Sequence, residues 1–191
     1  MFVTSQSNRR ALYRHALLLA FGGMLAGCQT PSMSTDQRMQ LALGVAQSER
    51  VDVAETSLLT TQAEYQRDHN WLGEARAAFA LGELYKSKRW QDQQQPPETI
   101  NSYVRAADFY QQAATLYQQL EQPALEASAH VGAANAFLLA DQLPKACQNF
   151  EEAQRLASDP RMAQDRKNAE VLERSLQFFS DLTVVCAIRP R

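Results

Sequence analysis

Breakers of regular structure are scarce in this chain: seven glycines and seven prolines in 191 residues. That leaves long stretches rich in Ala, Gln, Leu and Glu, the residues that helices favour. The few glycines sit inside helical patterns, so no glycine-rich phosphate loop and no GxSxG turn occurs. Cysteine is scarcer still. Cys28, Cys147 and Cys186 lie too far apart for a CxxC redox or zinc motif. The three histidines, His15, His69 and His130, show no HExxH spacing, and the last two read as surface or groove residues. No basic run exceeds Lys86-Ser87-Lys88-Arg89, and 19 basic side chains face 21 acidic ones, which excludes the footprint of a nucleic-acid binder. The carboxylates are spread along helix faces, where they solvate. No catalytic constellation emerges; the expectation is a non-enzyme with no cofactor and no metal.

What is present begins at the N-terminus. Arg9, Arg10 and Arg14 precede any acidic residue, and "ALLLAFGGMLA" (16–26) forms an apolar run too short and too glycine-interrupted to span a bilayer. This reads as an export signal over residues 1–27. Leu25-Ala26-Gly27-Cys28 resembles the lipobox of bacterial lipoproteins at all four positions. The resemblance implies cleavage before Cys28 and acylation of its thiol, the nucleophile able to take a diacylglyceryl group, with several acyl chains giving stable anchoring. Gln29, rather than an acidic residue, follows the cysteine; by the sorting preference of such lipoproteins this implies the outer membrane, on its periplasmic face. Asn8–Leu12 loosely resembles a twin-arginine signal, so the export route stays open. Residues 28–36 then form a tether. The remaining chain, about 160 residues, suffices for one domain with its own core. Without the three signal arginines, 16 basic side chains face 21 acidic, a net charge of −5.

Over 37–191 the sequence repeats weakly. Leu43-Gly44, Leu81-Gly82 and Val131-Gly132 recur, and two are followed by a small–aromatic–small pattern: Ala106, Tyr110, Ala113 and Ala146, Phe150, Ala153. Tyr85 stands three residues after Gly82. The pattern resembles the tetratricopeptide repeat, a pair of antiparallel helices A and B in which Gly and Ala permit close approach and the aromatic fills the space between pairs. The doublets are 38 and 50 residues apart rather than the family's 34, and the extra length falls in "WQDQQQPPETIN", 90–101, a loop by composition. Helices are expected over about 35–48, 52–68, 71–89, 98–120, 123–140, 144–157 and 160–180, with Ser34–Gln37 as a capping box and Pro160 opening the last. "LTVVCAIRPR" (182–191) reads as an extended tail. The fold class is therefore all-α, a short α-solenoid of helix pairs closed by a capping helix and tail.

The resemblance places a concave surface on the A helices. Counted from each glycine, it comprises Arg38, Leu41, Val45, Ser48 and Glu49; Arg76, Phe79, Glu83, Lys86 and Ser87; and Glu126, Ala129, Ala133, Ala136 and Phe137. Arg76, Glu83 and Lys86 would form charged lips and Phe79, Ala133 and Phe137 an apolar floor, suited to a peptide or helix of a protein partner. Phe79 and Phe137 read equally as core, and the charged trio as a solvated face. Cys147 and Cys186, an even pair in an exported protein, are expected to form a disulfide if the last two helices pack antiparallel; two buried free thiols are the other possibility. The expected function is a membrane-anchored periplasmic adaptor or assembly factor, resembling in design the pilotins of pilus and secretion systems. A regulator of a cell-wall synthase or hydrolase is the alternative, and a hydrolase or cell-wall-binding enzyme, disfavoured for want of a site, is the third reading.

Overall fold

The computed structural model of the chain describes residues 33–47, 50–93, 98–164, 166–178 and Cys186. The expected signal, the lipobox and Cys28, Ser48 and Glu49, and all of the tail but Cys186 lie outside the described residues. The helical unit starts at Ser34. In chain order it comprises α1 (Thr35–Ala46), α2 (Val51–Arg67), α3 (Trp71–Lys86), the short α4 (Lys88–Gln91), α5 (Glu98–Gln119), α6 (Pro123–Leu139), α7 (Leu143–Ala157), a 3₁₀ turn (Pro160–Gln164) and α8 (Arg166–Phe178).

Local chemistry sets these limits. Ser34 accepts from the Gln37 amide while the Gln37 side chain accepts from the Ser34 amide, a complete capping box. Proline occupies the first turn of α6 and of α7. Three helices end by one device without glycine. His69, Glu121 and Asp141 take left-handed backbone conformations, φ 54°, 54° and 57°. The next amide then bonds back across the turn: Asn70 to the Tyr65 carbonyl at 2.9 Å, Gln122 to Tyr117 at 2.9 Å and Gln142 to Phe137 at 2.8 Å. Each turn reverses the chain within a few residues, so α2/α3, α5/α6 and α6/α7 run antiparallel.

The fold is an all-α helical repeat in which neighbouring helices pack in pairs, with α1, α3, α6 and α8 also touching one another in succession. Tyr110, fully buried on α5, is the wedge of this stack. Its ring lies over Gly82 of α3 and Gly132 of α6; a Cβ would come within 2.9 Å of the ring at the first and 2.6 Å at the second. Tyr65 of α2 covers Gly73 of α3 in the same way, whereas a Cβ on Gly44 would meet nothing within 4 Å. The phenols repeat a second pattern, each donating to a carboxylate of the preceding long helix: Tyr65 to Asp36 at 2.5 Å, Tyr85 to Glu55 at 2.5 Å and Tyr110 to Glu83. Burial, with the neighbouring carboxylate second, pushes the Tyr65 phenol up to about 12 and those of Tyr85 and Tyr110 higher still. All three therefore stay neutral donors.

Three expected boundaries differ. The helix read over 71–89 stops at Lys86, because Ser87 turns extended and caps α4 through its hydroxyl. Trp90, read as the start of the insertion loop, is buried in α4, donates its indole N–H to Ser102 Oγ at 3.0 Å and meets the Tyr85 ring edge-on at 4.7 Å. Residues 98–101 already belong to α5, and 94–97 lie outside the described residues. The helix read over 160–180 is instead the 3₁₀ turn followed by α8, with Asp159 accepting from the Arg161 amide at 2.8 Å.

Cys147 of α7 and Cys186 are joined, Cα atoms 5.5 Å apart. Cys186 packs against the cluster of Ala134 and Phe150, as Leu143 and Leu176 also do, so the bridge holds this residue at the contact of α6 and α7.

Candidate functional site

α1 and α3 lie close enough to touch but leave a groove of about 830 Å³ between them. Met39, Leu43 and Ala46 of α1 and Phe79, Ala80 and Leu84 of α3 give it an apolar lining. Tyr65 and Tyr117 reach it from α2 and α5, and Asp36, Arg76 and Glu83 supply charge. Two of those charges are already engaged. Asp36 holds the Tyr65 hydroxyl; Glu83 holds the Tyr110 hydroxyl and the Lys86 ammonium, the latter at 3.0 Å. Arg76 is exposed and makes no hydrogen bond or ion pair among the described residues. The groove thus combines an apolar floor with one uncommitted guanidinium, a fork that matches a carboxylate in two parallel hydrogen bonds.

The expected site residues divide. Arg76, Phe79, Glu83 and Ser87 all line the groove. Lys86 stands beside it, its ammonium spent on Glu83 and 5.1 Å from the Tyr110 ring centroid. Ala133 and Phe137 do not form the floor: they are 0% and 1% exposed, as are Ala129 and Ala136 at 0%. The reason is the position of α6, which is covered by α3, α5, α7 and α8 together. On α1 the face is displaced. Arg38 is paired with Glu64 of α2 and Leu41 points to solvent at 54% exposure, while Asp36, Met39, Gln40 and Leu43 turn to the groove. Counting from Gly44 selects the wrong face, because that glycine sits at no helix contact.

A second set of functional groups was not expected from the sequence. Glu126 and His130, one turn apart on α6, meet Glu152 of α7, with one ligand atom from each lying within 4.8 Å of the others. Glu126 is buried, and burial raises its carboxyl above the usual range. Glu152 is held below it by hydrogen bonds from Arg155. His130 lines an adjoining cleft of about 470 Å³ with Gln111, Asn149, Glu152 and Arg155.

The chain matches no protein-family model and no curated protein. The resemblances to the lipobox and to the tetratricopeptide repeat therefore stand on the residues that carry them. The groove stands on its geometry.

Proposed function

We propose that this chain is an adaptor of the bacterial envelope, anchored by lipid on Cys28 at the periplasmic face of the outer membrane, and that it holds a partner polypeptide in the groove between α1 and α3. Assembly of a larger envelope complex, such as a pilus or secretion apparatus, is the class of task this design serves. The observation that carries the reading is Arg76. A guanidinium without a partner among the described residues, beside an apolar channel, favours a segment that brings a carboxylate next to one or two apolar side chains. Anchoring would confine adaptor and partner to one surface and raise their effective concentration without new contacts.

Two measurements test this. Arg76→Glu leaves the core untouched and should weaken partner capture from solubilised membranes by roughly 10- to 100-fold, the worth of one charge-assisted pair. Unchanged capture with an unchanged helical spectrum would place the binding surface elsewhere. Cys28→Ser should move the chain to the soluble fraction and abolish incorporation of labelled fatty acid; retention of both membrane association and label would refute the anchor.

A further inference from the structure

We propose that Glu126, His130 and Glu152 form a binding site for a divalent transition ion of the zinc class, clamping α6 to α7. This does not rest on the groove or on the anchor. The strongest observation is Glu126. It is only 4% exposed, no hydrogen-bond donor among the described residues reaches its carboxylate, and one of its oxygens lies within 4.8 Å of a ligand atom of His130 and of Glu152. Arg155 and Arg161 lend it charge without forming an ion pair. A carboxylate so largely removed from water is stabilised by a donor or a cation, and His130 and Glu152 stand close enough to share one with it.

The imidazole is prepared for the role. Asn149 donates its amide nitrogen to the Lys145 carbonyl at 2.9 Å, which turns its amide oxygen towards His130 Nδ1 at 3.0 Å. Nδ1 must then carry the proton, leaving the lone pair on Nε2. A ring nitrogen held as donor to an oriented acceptor, with the other free, is the arrangement that supports a metal-bound histidine. One imidazole and two carboxylates suit Zn²⁺ and its first-row neighbours better than Mg²⁺ or Ca²⁺, which prefer all-oxygen shells.

Two features set the cost of loading. Ligand atoms around a tetrahedral ion with bonds of about 2.0–2.2 Å lie about 3.5 Å apart, so the present spacing of up to 4.8 Å must contract. Glu126 and Glu152 can supply that movement through their side-chain torsions. Arg155 must also release Glu152, which it now grips through both carboxylate oxygens. In that pair Arg155 is exposed and Glu152 half-buried, and it spans one helical turn, the kind that contributes little. Arg155 is thus the competitor of the ion, and the cleft of about 470 Å³ beside it gives access from solvent.

The test is a titration of the purified chain, stripped with chelator and carrying Cys28→Ser so that no free thiolate competes, with Zn²⁺ by calorimetry and with Co²⁺ by visible absorption. One ion per chain should bind with micromolar or tighter affinity and raise the melting temperature, and the His130 Nε2 resonance should shift while that of His69 does not. His130→Ala and Glu126→Gln should each weaken binding at least tenfold. Arg155→Gln, which removes no ligand, should tighten it. Absence of binding at millimolar Zn²⁺, or binding indifferent to His130→Ala and to Arg155→Gln, would overturn the site. The Arg155→Gln arm keeps the test decisive even if a ligand variant folds poorly.

Discussion

Tyr110→Ala should destabilise the protein by about 3–5 kcal/mol, the range for deleting a large buried aromatic, and should lower the denaturant midpoint accordingly. The ring is fully buried and wedged between α3 and α6, which meet it through Gly82 and Gly132. Neither glycine has a side chain that could move into the void, and the Phe79 ring, which meets Tyr110 edge-on at 5.2 Å, would lose its partner. Collapse would require two helix axes to shift together. Tyr110→Phe keeps the wedge and removes the bond to Glu83 at the surface, so it should cost far less, about 1 kcal/mol. The pair of variants separates packing from hydrogen bonding in urea titrations followed by circular dichroism. A loss below about 1 kcal/mol for Tyr110→Ala would mean that α3, α5 and α6 are not held by this ring.

Reducing the Cys147–Cys186 bridge should cost about 4 kcal/mol. The two cysteines are 39 residues apart, and closing a loop of that length removes this much conformational freedom from the unfolded chain in the chain-entropy treatment. The loss should fall on one end of the molecule. Cys186 packs against Ala134 and Phe150, the cluster that Leu143 and Leu176 also join, so breaking the bridge should loosen the packing of α7 and α8. Comparing the oxidised chain with the Cys147→Ser/Cys186→Ser double variant by equilibrium denaturation gives the magnitude. Hydrogen exchange gives the place: faster in α7 and α8 than in α2 and α3. A double variant within about 1 kcal/mol of the parent would show that α7 and α8 are held by packing alone.

Much of this architecture is legible in the sequence because its signals are local. The Ser34–Gln37 box, Pro123, Pro144 and two of the three apolar-glycine doublets, Leu81-Gly82 and Val131-Gly132, mark helix starts and close helix contacts directly. Helix ends are less legible, because the left-handed positions that normally favour glycine are filled by His69, Glu121 and Asp141. The groove was half legible. On α3 the spacing of Arg76, Phe79 and Glu83 defines one face whatever packs behind it. On α6 the same positions are core, and the warning lay in "PALEASAHVGAANAFLL", a segment apolar around nearly its whole circumference, which marks a helix covered on all sides. The Glu126–His130–Glu152 group shows how far local reading goes. The one-turn spacing of its first two members is visible, but the third arrives only through the pairing of α6 with α7.

The claim that the α1/α3 groove is the docking surface is tested most directly by a photo-crosslinking residue placed in the living cell at Gln40, which is exposed and lines the groove, and separately at Thr115, which is exposed on α5 away from it. The account predicts a discrete crosslinked product from Gln40 that disappears when Arg76→Glu is added, and none from Thr115. Equal products from both positions, or a Gln40 product indifferent to Arg76→Glu, would contradict it.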